Sequence, residues 1–316
     1  MKKLLFISFL FLFFSCQTEI ITNDEIAQWE AQAERVTIMR DDYGIPHIYG
    51  KTDADAVFGM LYAQCEDDFN RVEMNYITAI GRLAEVEGEE KLFNDLRARL
   101  YMTEAEAIEM YDESPDWLKQ LCDAFSDGVN YYLHTHPDVK PKLLNRFEPW
   151  MPMYFSEGSI GGDIERISTT RLQGFYEADQ KLAYEGITDG LFHINPEENP
   201  EQEPRGSNGF AIAPEMTESG NAMLLINPHT SFFFRGELHM VSEEGLNAYG
   251  AVTWGQFFVY QGFNDRTGWM HTSTRTDCID EFLETVREKE GRLEYLYGDE
   301  WLPVEVSEVT LNYKNE

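Results

Sequence analysis

The sequence predicts an α+β fold with a helical first part and a strand-rich second part. Three observations carry that expectation. From residue 53 to about 134, apolar residues recur at helical spacing, as in Val57, Met60 and Leu61. From Phe210 onward, short apolar runs alternate with Gly, Asn and Glu-Gly turns. Between these regions lies a polar stretch, 195–204, rich in proline and glutamate. Helices followed by strands describe a layered α+β architecture.

The elements follow in order. Residues 36–40 and 47–49 read as strands around the turn Gly44-Ile45-Pro46. Asp53 is the expected N-cap of a long helix. Asp116, Trp117, Leu118, Leu121 and Phe125 belong to one amphipathic helix. The proline-punctuated stretch 137–152 closes the helical block, and a further helix is expected over about 163–184. Strands are then expected at 210–213, 223–227, 239–242, 247–253, 259–263, 293–297 and 304–311. No internal repeat is evident.

The chain has 316 residues, of which 43% are hydrophobic, enough for one large or two ordinary domains with a real core. Its 25 basic and 57 acidic residues give a formal charge of −32. Such a surface repels nucleic acid, so a nucleic-acid partner is excluded. Met1-Lys2-Lys3 and the apolar run Leu4 to Phe14 read as an export signal too short to span a bilayer permanently. It ends in Phe13-Phe14-Ser15-Cys16, which resembles a bacterial lipoprotein signal. Acyl chains on Cys16 would anchor an exported protein to a membrane, on the periplasmic or cell-surface side. The other reading is an ordinary signal peptide with an incidental cysteine. Cys65, Cys122 and Cys278 remain, an odd number that makes no disulfide framework. The expected organisation is signal 1–16, tether 17–33, helical region 34–185, spacer 186–206 and strand-rich region 207–316.

The spacer ends at Arg205-Gly206-Ser207-Asn208-Gly209-Phe210. A flexible segment stopping abruptly at a strand suggests a place where a precursor is cut between Gly206 and Ser207. A serine hydroxyl is a poor nucleophile without a base. Cutting would give Ser207 a free α-amine, whose reference pKa near 7.7–8.0 leaves much of it neutral at physiological pH. One residue would then supply nucleophile and base. Glycine before the serine permits the strained backbone that self-cleavage needs.

Further motifs fall in a fixed order. The first part carries Arg40-Asp41-Asp42-Tyr43-Gly44-Ile45-Pro46-His47-Ile48, then Gly59 to Asp68 with Gln64 and Glu66, then Gly81-Arg82-Leu83-Ala84-Glu85. After Ser207 come Leu224-Leu225-Ile226-Asn227-Pro228-His229, Gly262-Phe263-Asn264-Asp265, Gly268-Trp269-Met270-His271-Thr272 and Asp277-Cys278-Ile279-Asp280. In that order, from about 36 to about 286, the chain resembles the penicillin acylase family of N-terminal-nucleophile hydrolases. That group includes acyl-homoserine-lactone, aculeacin A and cephalosporin acylases.

The resemblance implies a four-layer αββα sandwich, incomplete in this chain. Residues 34–185 would be the α-chain-like region and 207–316 the start of a β-chain-like nucleophile domain. It implies a self-processing amidohydrolase acting on an acylated small-molecule amide. Ser207 would be nucleophile and amine base, and His229 would orient it. The backbone N–H of Ser273 would be one oxyanion donor. The family's second donor is an asparagine in the distal second chain, so the remaining C-terminal part of that chain is an expected partner. Asp277, the Ile279 carbonyl and Asp280 match a calcium site in hard-oxygen chemistry and spacing. The alternative for Asp277 and Asp280 is an N-cap of the following segment. The family's glutamate ligand belongs between about 162 and 177, where Gln173 stands. No organic cofactor is expected. Phe232, Phe233, Phe234, Trp254 and Phe257 are candidates for an acyl pocket, or plain core. A catalytically incomplete lipoprotein of the same fold, with a binding role, is the second reading of the whole chain.

Overall fold

The computed structural model describes residues 21–154, 167–177, 207–229, 235–272 and 282–315. Helix α1 (Asn23–Ala33) opens it, where the sequence suggests a tether. A capping box makes this helix: Thr22 accepts from Glu25 N, and the Glu25 carboxylate accepts from Thr22 N. Trp29 and Gln32 then bury against the body of the protein. Residues 23–33, expected within the tether, are thus a capped helix.

Strands β1 (Val36–Arg40) and β2 (Pro46–Gly50) pair antiparallel, Val36 opposite Gly50. Helix α2 (Asp53–Ala79) follows, capped by Thr52 one residue before the expected Asp53. It is kinked at Asp68 (φ −159°, ψ 73°). There the Asp68 carboxylate accepts from Arg71 N at 3.1 Å, recapping the second half. Short α3 (Ala84–Glu87), α4 (Leu92–Tyr101) and α5 (Glu104–Glu113) lead to α6 (Asp116–Thr135). Helix α6 packs along α2 at close range. A Cβ on Gly128 would lie 2.5 Å from the Phe58 carbonyl oxygen, so only glycine lets the two backbones approach.

Buried Glu73 ties the following loop to α2. Its carboxylate accepts from the backbone N–H groups of Lys142, Leu143 and Leu144 at 2.9, 2.8 and 3.0 Å. Helix α7 (Thr169–Glu177) falls inside the stretch expected to be helical.

From Ser207 on, most of the described elements are strands. Strands β3 (Ser207–Ile212) and β4 (Met223–Pro228) form a separate two-stranded ribbon. Strands β5 (Arg235–Ser242), β6 (Asn247–Thr253), β7 (Gln261–Phe263) and β8 (Gly268–Trp269) join the first two strands in one six-stranded sheet, ordered β1-β2-β5-β6-β7-β8. The β2–β5 pair is parallel, with His47 beside His239 and Gly50 beside Ser242. One face of this sheet carries Ile48, Leu238, Met240 and Val252 into the core beneath α2. Strands β9 (Val286–Lys289), β10 (Arg292–Tyr297) and β11 (Glu300–Pro303) make a third sheet. Residues 304–311, expected as a strand, have no regular structure, and Val306 stays 75% exposed. Val304 N donates to the Leu293 carbonyl at 2.9 Å, but beyond it the stretch has no partner strand among the described residues and holds no ladder.

The two parts also meet through α2 and the turn after β6. Gln64 donates to the Gln256 carbonyl at 2.9 Å and accepts from Gly255 N at 2.8 Å. Asn75 donates to the Trp254 carbonyl at 2.8 Å, and the Tyr76 hydroxyl donates to the Gly255 carbonyl at 2.8 Å. Gly255 has φ +93° and its α-carbon faces the Tyr76 ring, which explains glycine there.

Candidate active site

Ser207 is the first residue of β3, half-buried, and pairs with Pro228 at the end of β4. Its carbonyl accepts a hydrogen bond from the Thr272 hydroxyl at 3.2 Å. Thr272 lies 65 residues downstream, directly after the Trp269–His271 segment, so folding brings two sequence motifs together. The contact is supported from below. A Cβ on Gly209 would lie 1.9 Å from the Met270 sulfur, so β3 sits hard against the same segment. His271 stacks on Tyr260 with ring centroids 4.4 Å apart and planes 14° from parallel. The Arg235 guanidinium lies 4.5 Å from the Tyr260 ring centre. Buried Gln261 donates to the His271 carbonyl at 3.0 Å.

His229 is placed beside this strand end, but its ring engages Asn208: Nε2 lies 3.0 Å from the Asn208 amide nitrogen. Ser207, His229 and Thr272 therefore converge at one end of the β3–β4 ribbon. The ribbon itself exposes Phe210, Met223 and Leu225, each more than half open to solvent. Trp254 and Phe257 pack against the core. Gly206, Ser273, Asp277, Ile279, Asp280, Cys16 and Phe232 to Phe234 lie outside the described residues. Among the described residues, no group of three or more His, Cys, Asp or Glu side chains converges to hold a metal ion. No described helix is long and apolar enough to cross a membrane.

Sequence reasoning missed three things here. Asn208 has no role of its own in the sequence motif, although its place beside Ser207 is a signal. Arg235 and Tyr260 carry no local pattern at all. A histidine pair was also missed. His47 Nδ1 and His239 Nδ1 lie 3.0 Å apart across the β2–β5 ladder, and Asn247 Oδ1 is 2.8 Å from His239 Nε2. They line a cleft with Tyr249 and Phe263. Only the register of strands 192 residues apart reveals that pair.

A family model described as penicillin amidase matches residues 35–316. The chain belongs to the penicillin amidase family. That membership agrees with the α+β, N-terminal-nucleophile class expected from the motifs. Among curated relatives, the acyl-homoserine lactone acylase QuiP of Pseudomonas fluorescens strain Pf-5 is 24% identical, over 90% of this chain and 39% of its own length. QuiP of P. fluorescens strain Pf0-1 is 26% identical over 90% and 40%. The acyl-homoserine lactone acylase PvdQ of Pseudomonas savastanoi is 23% identical over 80% and 35%. The chain thus spans about two fifths of the length of the curated relatives it matches. A solved thermostable penicillin G acylase from Alcaligenes faecalis aligns with 54% of this chain and 96% of its own, at TM-score 0.37 and 21% identity. The family model is described as an amidase, and these relatives are named as acylases.

Proposed function

We propose that this penicillin amidase family chain is a self-processing acylase with Ser207 as its nucleophile. The observation that carries the reading is the Thr272–Ser207 contact. It joins the expected nucleophile to the segment whose next residue, Ser273, is the expected oxyanion donor. In maturation, Ser207 Oγ attacks the Gly206 carbonyl carbon and the peptide C–N bond breaks. The Ser207 nitrogen takes up a proton and becomes the free α-amine, and water then hydrolyses the resulting ester to the Gly206 carboxylate and the Ser207 hydroxyl. In turnover, Oγ attacks the substrate's amide carbonyl while the α-amine takes its proton, directly or through a water. That proton passes to the leaving amine, and water releases the acid. The relatives named as acyl-homoserine lactone acylases favour acylated homoserine lactones as the substrate class to try first; β-lactam side-chain amides come second.

Intact-mass measurement and N-terminal sequencing of purified protein test maturation. A new N-terminus at Ser207, abolished in Ser207→Ala, is expected. An uncut chain in a folded, active preparation sinks the proposal. Two further proposals rest on residue chemistry alone: calcium at Asp277, Ile279 and Asp280, and lipidation at Cys16 in an exported compartment. A chelator should lower the melting temperature if the first holds, and fatty-acid labelling should vanish in Cys16→Ala if the second does.

A further inference from the structure

We infer that Asn208 is a positioning residue that sets where the proton sits on His229, and thereby denies His229 the role of base. Only the catalytic consequence rests on the reading of Ser207 given above. Asn208 pairs with Asn227 across the β3–β4 ladder, and Ser207 pairs with Pro228. Side chains alternate between faces along a strand. His229, two places beyond Asn227, therefore falls on the Asn208 face, while the Ser207 side chain takes the other. The observed contact agrees, with the Asn208 amide nitrogen 3.0 Å from His229 Nε2.

An amide nitrogen carries only hydrogens and can only donate. Nε2 must then accept with its lone pair. A neutral imidazole has one N–H and one lone pair, so the proton of neutral His229 is on Nδ1. With the Nε2 lone pair engaged, the ring offers its neighbours only the Nδ1–H while the Asn208 contact lasts. It can donate a hydrogen bond from Nδ1, and so can orient a neighbouring oxygen or amine. It cannot remove the Ser207 hydroxyl proton. The α-amine is left as the base.

The test reads the proton directly. The whole chain is labelled with ¹⁵N-histidine, and the His229 ring signals are assigned by their absence in His229→Gln. Wild type should show Nδ1 protonated and Nε2 as a lone-pair nitrogen. Asn208→Asp keeps the shape but replaces the donor with an acceptor, so the proton should move to Nε2. A wild-type ring protonated at Nε2 overturns the inference, as does an unchanged tautomer in a folded Asn208→Asp. If that variant fails to fold, the wild-type tautomer alone decides. Failure of self-cleavage by mass spectrometry would remove the proposed function and leave this result standing. In matured protein, Asn208→Asp should lower kcat about tenfold or more with little change in KM, and Asn208→Gln should restore part of it.

Discussion

Asp127 sits at the seam between α1 and α6, where Trp29 Nε1 donates to it at 2.7 Å. Burial pushes its carboxyl up to about 6, helped by nearby Asp123 and Glu25 and opposed by the Trp29 hydrogen bond. A carboxyl that binds its proton more tightly when folded contributes stability in full below the unfolded carboxylate range. That contribution is lost as pH rises through about 6, and amounts to about 2–3 kcal/mol. Asp127→Asn keeps the acceptor for Trp29 and removes the ionisation. Its stability relative to wild type should therefore improve between about pH 4 and 7, by one to a few kcal/mol; melting curves across that range check it. The catalytic candidates can be probed on the same scale. In matured protein, His229→Gln should keep the acidic limb of the rate profile, because the Ser207 amine, near 7.7–8.0 when exposed and lower when buried, sets it. Loss of that limb with activity retained would make histidine the base. Ser207 was legible because a Pro/Glu-rich run stops at Gly-Ser before a strand. Its hold on Thr272 was not, because a hydroxyl-to-carbonyl contact across 65 residues leaves no periodicity in either segment.

At the scale of elements, two small features hold much of the packing. Thr22→Ala removes the N-cap of α1 and should cost about 1 kcal/mol, read as a lower denaturant midpoint with unchanged slope. Gly128→Ala drives a methyl group against the Phe58 carbonyl at the α2–α6 crossing. It should cost about 1–3 kcal/mol despite the better helix propensity of alanine. The strands β1, β4, β6 and β10 were readable within a residue or so, because turn residues bracket short apolar runs. Helix α1 was not, since Trp29 is the one hydrophobic side chain among its buried anchors and the flanking sequence looks like polar linker. The stretch 304–311 misled in the opposite direction. It has strand-like alternation, and alternation specifies a strand only where a partner pairs with it.

Taken whole, the molecule is stitched across the proposed cut. The β2–β5 ladder and the grip of Gln64, Asn75 and Tyr76 on the Trp254–Gln256 turn both join residues before 206 to residues after it. A protease site inserted at 195–204 should therefore give two bands on a denaturing gel and one peak in size-exclusion chromatography. Separation of the pieces without denaturant would contradict the topology. Helices-then-strands was legible from composition and spacing. The sheet order was not: pairing β2 with β5 is a decision made by tertiary packing of Ile48, Leu238 and Met240 under α2, and local sequence carries no record of it.

That parallel ladder also imposes a timetable on biosynthesis. His47 waits for His239, 192 residues later, which at about 5–20 residues per second is roughly 10–40 s of elongation. Until then β2 offers a bare edge, and the apolar underside of α2 lacks its floor. An open edge beside an apolar surface is a template for aggregation. The nascent helical block is therefore exposed to aggregation during this interval. Ribosome-arrested chains should show it: protease resistance of residues 36–135 should rise sharply once residue 253 has cleared the exit tunnel, and not before.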